Sequence, residues 1–541
     1  MGSLMFFAAA IAACLLWTAA LTAAAARTHR GWLRALLAAL GVAVPVLALL
    51  PVLAGTWWLA FALNVPANWF PHAITVFLSA FVGGLWITRA GLVPAHDADD
   101  PPAARWPLVG LAALFVIAKA VCGGILLILD NAVAAQAPYL RLEAAQLMQT
   151  NLAAPVADAD NAAALHEQAG AMIAADKAFG AEDSPLVKRG DPLAPEATAV
   201  LTRHAATLDL IRRATDRDAC RFARDWTRPS FDMLLPEVQT FRSEGRLLAL
   251  AARHAAAEGR GGDALADVVR LGRLSRHAAA EPILISYLVG VAVDTQALQT
   301  LADVLPSLTP TDRAALERVD VKDLVGDVPN LTRALYGEEA FGLSVFADFT
   351  DGTMASHHLA ALDAGNDGLP VRAAAPALGA GFRVFFLPAD LAGYRGLMHR
   401  YQQLAGRQPP PTFAEIKRET DAIERDVTAH PPGVLSRLIV PAIGSVFRTR
   451  ARALALHRAA AVLVAATRDR LADGAVPAAL DGLMPIDPFA DGEPMLTKRT
   501  DAGLAVYSVG PDGEDDGGPV PPGAENVDGN DDVGLVMVAA P

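Results

Sequence analysis

The chain has 541 residues, 53% of them hydrophobic, with a net charge of −13 and three cysteines; its mean hydropathy is +0.32. That charge argues against nucleic acid as a partner, and cysteines as scattered as Cys14, Cys122 and Cys220 exclude a disulfide-stapled scaffold or a zinc site built from several thiolates. More than half of the negative charge falls after Gly510, so it points to a local ion site rather than to an acidic surface.

The hydrophobic excess lies mostly before Asp130. Leu4 to Ala26, Ala35 to Leu53 and Ala73 to Thr88 carry no charge, and Trp106 to Leu129 carries only Lys119. Each is close to the roughly 20 apolar residues that cross a bilayer, which predicts four transmembrane helices in a first region, 1–130. Arg27, Arg30 and Arg34 fill the first loop and Arg89 and Arg105 bound the third, whereas Gly55 to Pro71 is uncharged. Positive charge marks the cytoplasmic side, so both termini are expected outside and the bulk of the chain beyond the inner membrane. No Lys or Arg precedes the first apolar run, so it is expected to stay as a helix rather than be cleaved. Lys119 reads as a snorkelling residue, because the other three segments offer it no acidic partner.

Region 131–440 is Ala- and Leu-rich with helical spacing, which predicts an extracytoplasmic α-helical domain. Phe241 to Glu258 and Asp263 to Ala279 read as helices separated by Gly259 to Gly262, with Asp263 as N-cap. Pro282 is expected to open a third helix with Leu284, Leu288, Val291, Thr295, Leu298 and Ala302 along one stripe. These helices, near 241–305, are solenoid-like, although no second copy follows at a fixed period. Val156 to Asp160, Gly180 to Pro195 and Asp348 to Leu369 read as loops, the last holding His357 and His358 as exposed residues. Glu338 and Glu339 are candidate acid-base residues, set against the commoner case of an acidic, solvated helix face.

Region 441–541 carries the most specific pattern. A long helix is expected from Pro441 to about Leu471, with Leu456, Ala460, Leu463 and Thr467 along one stripe and Gly474 as C-cap. Asp487-Pro488-Phe489 then marks a turn, and short alternating stretches around Met495 to Lys498 and Leu504 to Ser508 read as strands of a small β-meander. From Pro511 onward there are eight carboxylates and no Lys or Arg, in a stretch dense with Gly and Pro. Calcium takes six to eight oxygens from carboxylates and inward-turned carbonyls, and this stretch supplies both. Asp528-x-Asn530-x-Asp532 imitates the start of an EF-hand loop, but Val533 stands where that loop needs Gly and Ala539 where it needs Glu.

The order of helix, Asp-Pro turn, meander and Tyr507-Ser508-Val509-Gly510-Pro511-Asp512-Gly513 leading to Asn530-Asp531-Asp532 resembles the globular part of the major pseudopilin of type II secretion systems. The resemblance spans about ninety residues. It implies a pseudopilin-like α+β unit holding Ca2+ through Asp512, Asp531 and Asp532, with carbonyls from Val509 and Glu514. The segment Asp515 to Gly529 is longer than in that family and leaves Asp515, Asp516 and Asp528 as rival ligands. The chain lacks a prepilin start, so processing and polymerisation as a pilin subunit are not expected. The whole layout is also similar to large planctomycete-type membrane proteins ending in the same pattern, with which no activity is associated.

No Gly-x-Ser-x-Gly, phosphate loop or His-Glu-x-x-His is present, since His166-Glu167 is followed by Gln168-Ala169-Gly170. The sequence therefore favours a non-enzymatic role in binding or envelope assembly, with the lipid bilayer and envelope or secretion proteins as partners. An accessory component of a type II secretion-like machine and an extracytoplasmic hydrolase stay open as alternatives.

Overall fold

The computed structural model describes residues 129–177, 191–229, 235–319, 330–352, 386–430, 443–477, 480–500, 503–519 and 530–538, with isolated positions between them and a few before 129. The four expected membrane segments, apart from those few positions, and His357 and His358 lie outside the described residues. The described chain is mostly helical, with a three-stranded antiparallel sheet near its end.

In chain order the main helices are α1 (Ala137–Asn151), α2 (Ala163–Ala175), α3 (Pro195–Arg203), α4 (Ala205–Thr215), α5 (Glu237–Ala257), α6 (Gly261–Ala278), α7 (Leu284–Val304), α8 (Arg313–Arg318), α9 (Leu331–Asp351), α10 (Leu387–Gly406), α11 (Phe413–Ala429) and α12 (Ile443–Asp473). The strands are β1 (Leu496–Thr500), β2 (Gly503–Ser508) and β3 (Val533–Val538), with β2 central. The chain divides into two compact units, one of residues 1–140, 345–396 and 424–440, the other of 141–344, 397–423 and 441–541. In the first, Arg383 donates to both Asp130 oxygens at 2.9 Å, and the buried Asp390 carboxylate caps the backbone N–H groups of Leu435 and Ser436.

The second unit is built on α5, α6 and α7 packed together. Gly259 sits at φ +75°, where a left-handed residue lets the chain reverse from α5 into α6. Two helix starts differ from expectation. Helix α6 begins at Gly261 after Arg260, with no side-chain cap, so Asp263 lies in its first turn and ion-pairs with Arg260. Helix α7 begins at Leu284 rather than Pro282. The carbonyl of Pro282 is pressed against Gly337 of α9, where a Cβ would lie 1.4 Å from it.

Helix α7 is buried on nearly every side. Val289, Val293 and Ala297 join a core with α2, α4, α5 and α6, while Leu298, Leu301, Ala302 and Val304 join a second core with α12 and the sheet. Of the expected stripe, Val291, Leu298 and Ala302 are buried, whereas Leu284, Leu288 and Thr295 are only half-buried. Among the described residues one helix is long and apolar enough to cross a membrane, Leu284–Ser307; 67% of its apolar window is buried inside the protein, as befits a core helix. The second core also continues past the boundary expected near residue 440, since Leu316, Phe413, Leu463 and Leu535 all belong to it.

Helix α12 runs 31 residues, about 46 Å at 1.5 Å per residue. Leu456, Ala460, Leu463 and Thr467 are all buried, as their spacing predicts, and the first three join a core with α7, β2 and β3. Gly474 ends the helix at φ +85°, its N–H bonded to the Arg470 carbonyl at 2.9 Å. The segment 153–157 has no regular structure and 158–160 form a turn, in line with a loop there.

Candidate functional site

The acidic stretch leaves the sheet at the end of β2 and returns at the start of β3, where Ser508 is the partner of Val533. Asp487 fixes its beginning. This buried carboxylate accepts from Ser508 Oγ at 2.6 Å, from Phe489 N at 2.8 Å and from Val509 N at 3.1 Å. Gly510 follows at φ +72°, with the Asp531 carbonyl 2.0 Å from where a Cβ would stand. Only glycine allows the outgoing and returning strands to approach this closely.

The residues expected to hold calcium are spread over this loop. Asp512 and Glu514 lie on an exposed turn, where Asp512 Oδ1 accepts the Glu514 N–H at 3.2 Å. Asp531 is exposed and 3.4 Å from Arg452 on α12. Asp532 is turned inward: Oδ2 accepts from Gly518 N at 2.7 Å, and Oδ1 is buried with no hydrogen-bond partner. Burial raises its carboxyl from the ordinary value, and the charges of Asp515 and Asp516 push the same way. Of the rival ligands, Asp516 Oδ2 accepts the Asp531 N–H and Asp515 Oδ1 accepts from Tyr507 and Gly517. Asp528 lies outside the described residues. The structure thus gathers Asp515, Asp516 and Asp532 near one another; no hydrogen bond ties Asp512 to them among the described residues.

A second cluster was not anticipated. Among the described residues, one group of three His, Cys, Asp or Glu side chains has its ligand atoms all within 4.8 Å of one another: His166, Cys220 and His277, each buried. His166 comes from α2, His277 from the last turn of α6, and Cys220 from the segment after α4. Asn161 holds that segment, accepting the Arg221 N–H at 2.9 Å and donating to its carbonyl at 2.8 Å. His166 Nδ1 meets Glu244 Oε2 of α5 at 2.7 Å, and its Nε2 meets His277 Nδ1 at 3.0 Å. His277 Nε2 donates to the Arg217 carbonyl at 3.1 Å. Burial pushes His277 down to about 3 and drives the Cys220 thiol far upward, with Glu281 and Glu244 adding to the rise. A neutral imidazole and a protonated thiol are the result, which is not the state of an activated nucleophile. Burial also raises Glu244, against the pull of His166.

Cys220 and His277 line a cavity of about 470 Å³ whose wall includes Arg217, Arg273, Arg276 and Arg333, with Asp218 as its acid. Arg217 donates to the Asp158 carbonyl at 3.2 Å and Arg333 to those of Asn151 and Ala280. Glu338 and Glu339 lie on α9 and are half-buried, so they are not the solvated face expected of them. Gln402 donates to Glu339 at 2.7 Å, and burial raises Glu338 to about 7 against the backbone N–H of Leu284.

No spacing in the sequence announces the His/Cys cluster, because its members lie more than fifty residues apart and meet only through packing of α2, α5 and α6. The legible signal was Arg270-x-x-Arg273-x-x-Arg276, which at this spacing puts three cations along one side of α6. No family model, curated protein or solved structure matches the chain.

Proposed function

We propose that the chain is a multi-pass protein of the bacterial inner membrane that presents an extracytoplasmic helical module and a calcium-stabilised, pseudopilin-like C-terminal unit, with a non-enzymatic role in binding or envelope assembly. The observation that carries this is Asp532: a carboxylate oxygen buried without a partner, beside two further acids, in the loop that closes the sheet. A buried, unsatisfied carboxylate oxygen is costly, and a divalent cation removes that cost. Asp512, Asp531 and Asp532 would supply side-chain oxygens and Val509 and Glu514 carbonyls. The pairing of Asp531 with Arg452 is exposed and weak enough to yield to an ion.

The test is thermal unfolding of the detergent-solubilised full chain in millimolar calcium and in chelator. An ion that binds only the folded state at a hundredfold excess over Kd adds about 2.7 kcal/mol. Calcium should raise the melting temperature, and Asp532→Asn should remove the difference. Superimposable curves for the parent protein under both conditions would dispose of the calcium reading.

A further inference from the structure

We propose that His166, Cys220 and His277 form a binding site for a zinc-class transition metal whose fourth coordination position opens onto the arginine-lined cavity and takes an anion. This site is independent of the calcium loop. Its argument begins with protons. The Arg217 carbonyl can only accept, so His277 Nε2 carries hydrogen and its Nδ1 presents a lone pair. Glu244 engages the outer nitrogen of His166 and leaves Nε2 facing that lone pair at 3.0 Å. Two imidazole nitrogens at that separation need either a proton or a cation between them. Cys220 Sγ within 4.8 Å of a ring nitrogen of each histidine makes the site fit a cation.

The geometry suits zinc. Zn–N bonds of about 2.05 Å at a tetrahedral angle place two nitrogens roughly 3.3 Å apart, a few tenths of an ångström from the separation present here. Imidazole and thiolate are ligands of borderline-soft metals and not of calcium. Metal-bound histidines commonly give their other nitrogen to a carboxylate or a carbonyl, and here Glu244 takes one and Arg217 the other. Binding releases two protons to solvent, the Cys220 thiol proton and the one held between His166 Nε2 and His277 Nδ1, and forms one metal–sulfur and two metal–nitrogen bonds, so the neutral buried thiol becomes a ligand without any oxidant. Three protein ligands leave one position, and Cys220 and His277 both face the cavity with Arg217, Arg273, Arg276 and Arg333. Guanidinium groups around an open position recognise phosphate or carboxylate oxygens.

The experiment uses the full chain in detergent, stripped of metal by chelation and titrated with Co2+ alone, then with Zn2+ in competition. One equivalent of cobalt should give tetrahedral ligand-field bands with a thiolate-to-metal charge-transfer band, and zinc should displace it. Cys220→Ser should abolish the charge-transfer band, and Glu244→Gln should weaken binding about 10–100-fold. Circular dichroism establishes that each variant is folded, and an Asp532→Asn control should bind cobalt like the parent, which keeps this result separate from that of the calcium loop. Inorganic phosphate added to the cobalt protein should shift the ligand-field bands. No cobalt binding by the folded parent, or a spectrum that Cys220→Ser leaves unchanged, would overturn the metal site; a spectrum indifferent to phosphate would overturn the anion at the fourth position.

Discussion

Asp487 links the turn that begins the meander to the loop that crosses its end. Three donors converge on one buried carboxylate, so Asp487→Ala would leave Ser508 Oγ and two backbone N–H groups unsatisfied. At roughly 1–3 kcal/mol for each buried donor left unpaired, we expect a loss of about 3 kcal/mol or more in denaturant unfolding, and Asp487→Asn, which keeps one acceptor, should lose less. Titration adds a second expectation. Burial raises Glu338 from 4.5 to about 7. A carboxyl raised on folding stabilises the folded state below its unfolded pKa, and that contribution falls away as pH rises from about 4.5 through about 7. Unfolding measured across that window should be flatter for Glu338→Gln than for the parent; equal slopes would mean that Glu338 ionises as freely folded as unfolded. A turn at Asp487 was legible because Asp-Pro punctuates the chain locally, but the three donors its carboxylate gathers were not. His166, Cys220, Glu244 and His277 were not, because each looks like an ordinary member of an Ala-rich helix or its connection, and only tertiary packing makes them neighbours.

At the scale of elements, apolar spacing located the buried residues of α12 more completely than those of α7. In α12 the expected stripe of Leu456, Ala460, Leu463 and Thr467 is buried throughout, and α7 as well as β2 and β3 packs on the helix. Helix α7 is enclosed by α5 and α6 on one side and by α12 and β3 on the other, so burial spreads around it: Val291, Leu298 and Ala302 of its stripe are buried, Leu284, Leu288 and Thr295 are half-buried, and Leu301, off the stripe, is fully buried. Leu301, fully buried, should therefore matter more than Leu288. Leu301→Ala is expected to cost about 2–5 kcal/mol in chemical denaturation, as core leucines do, and Leu288→Ala distinctly less. A larger loss at Leu288 would restore the single-stripe register. The Pro282 and Gly337 crossing had no local signature either, since a glycine inside a helix signals a close approach without saying to what.

For the whole molecule, the proposed functions depend on which side of the membrane residues 131–541 occupy. Calcium sites of extracytoplasmic modules work at about 10⁻⁴–10⁻³ M, concentrations that an exposed loop with few ordered ligands can use and a cytoplasmic protein would rarely meet. The charge asymmetry of the first region is the physical basis for placing the unit outside: Arg27, Arg30 and Arg34 against an uncharged Gly55 to Pro71. Under the proposed topology, four crossings would return the chain to the side on which it began. Alkaline phosphatase fused after Pro541 should be active, whereas the same fusion placed in the loop bearing Arg27, Arg30 and Arg34 should be inactive. The reverse pattern would put the acidic loop in the cytoplasm, where a weak calcium site would stand empty, and the stabilisation measured in vitro would then have no bearing on what the protein does in the cell.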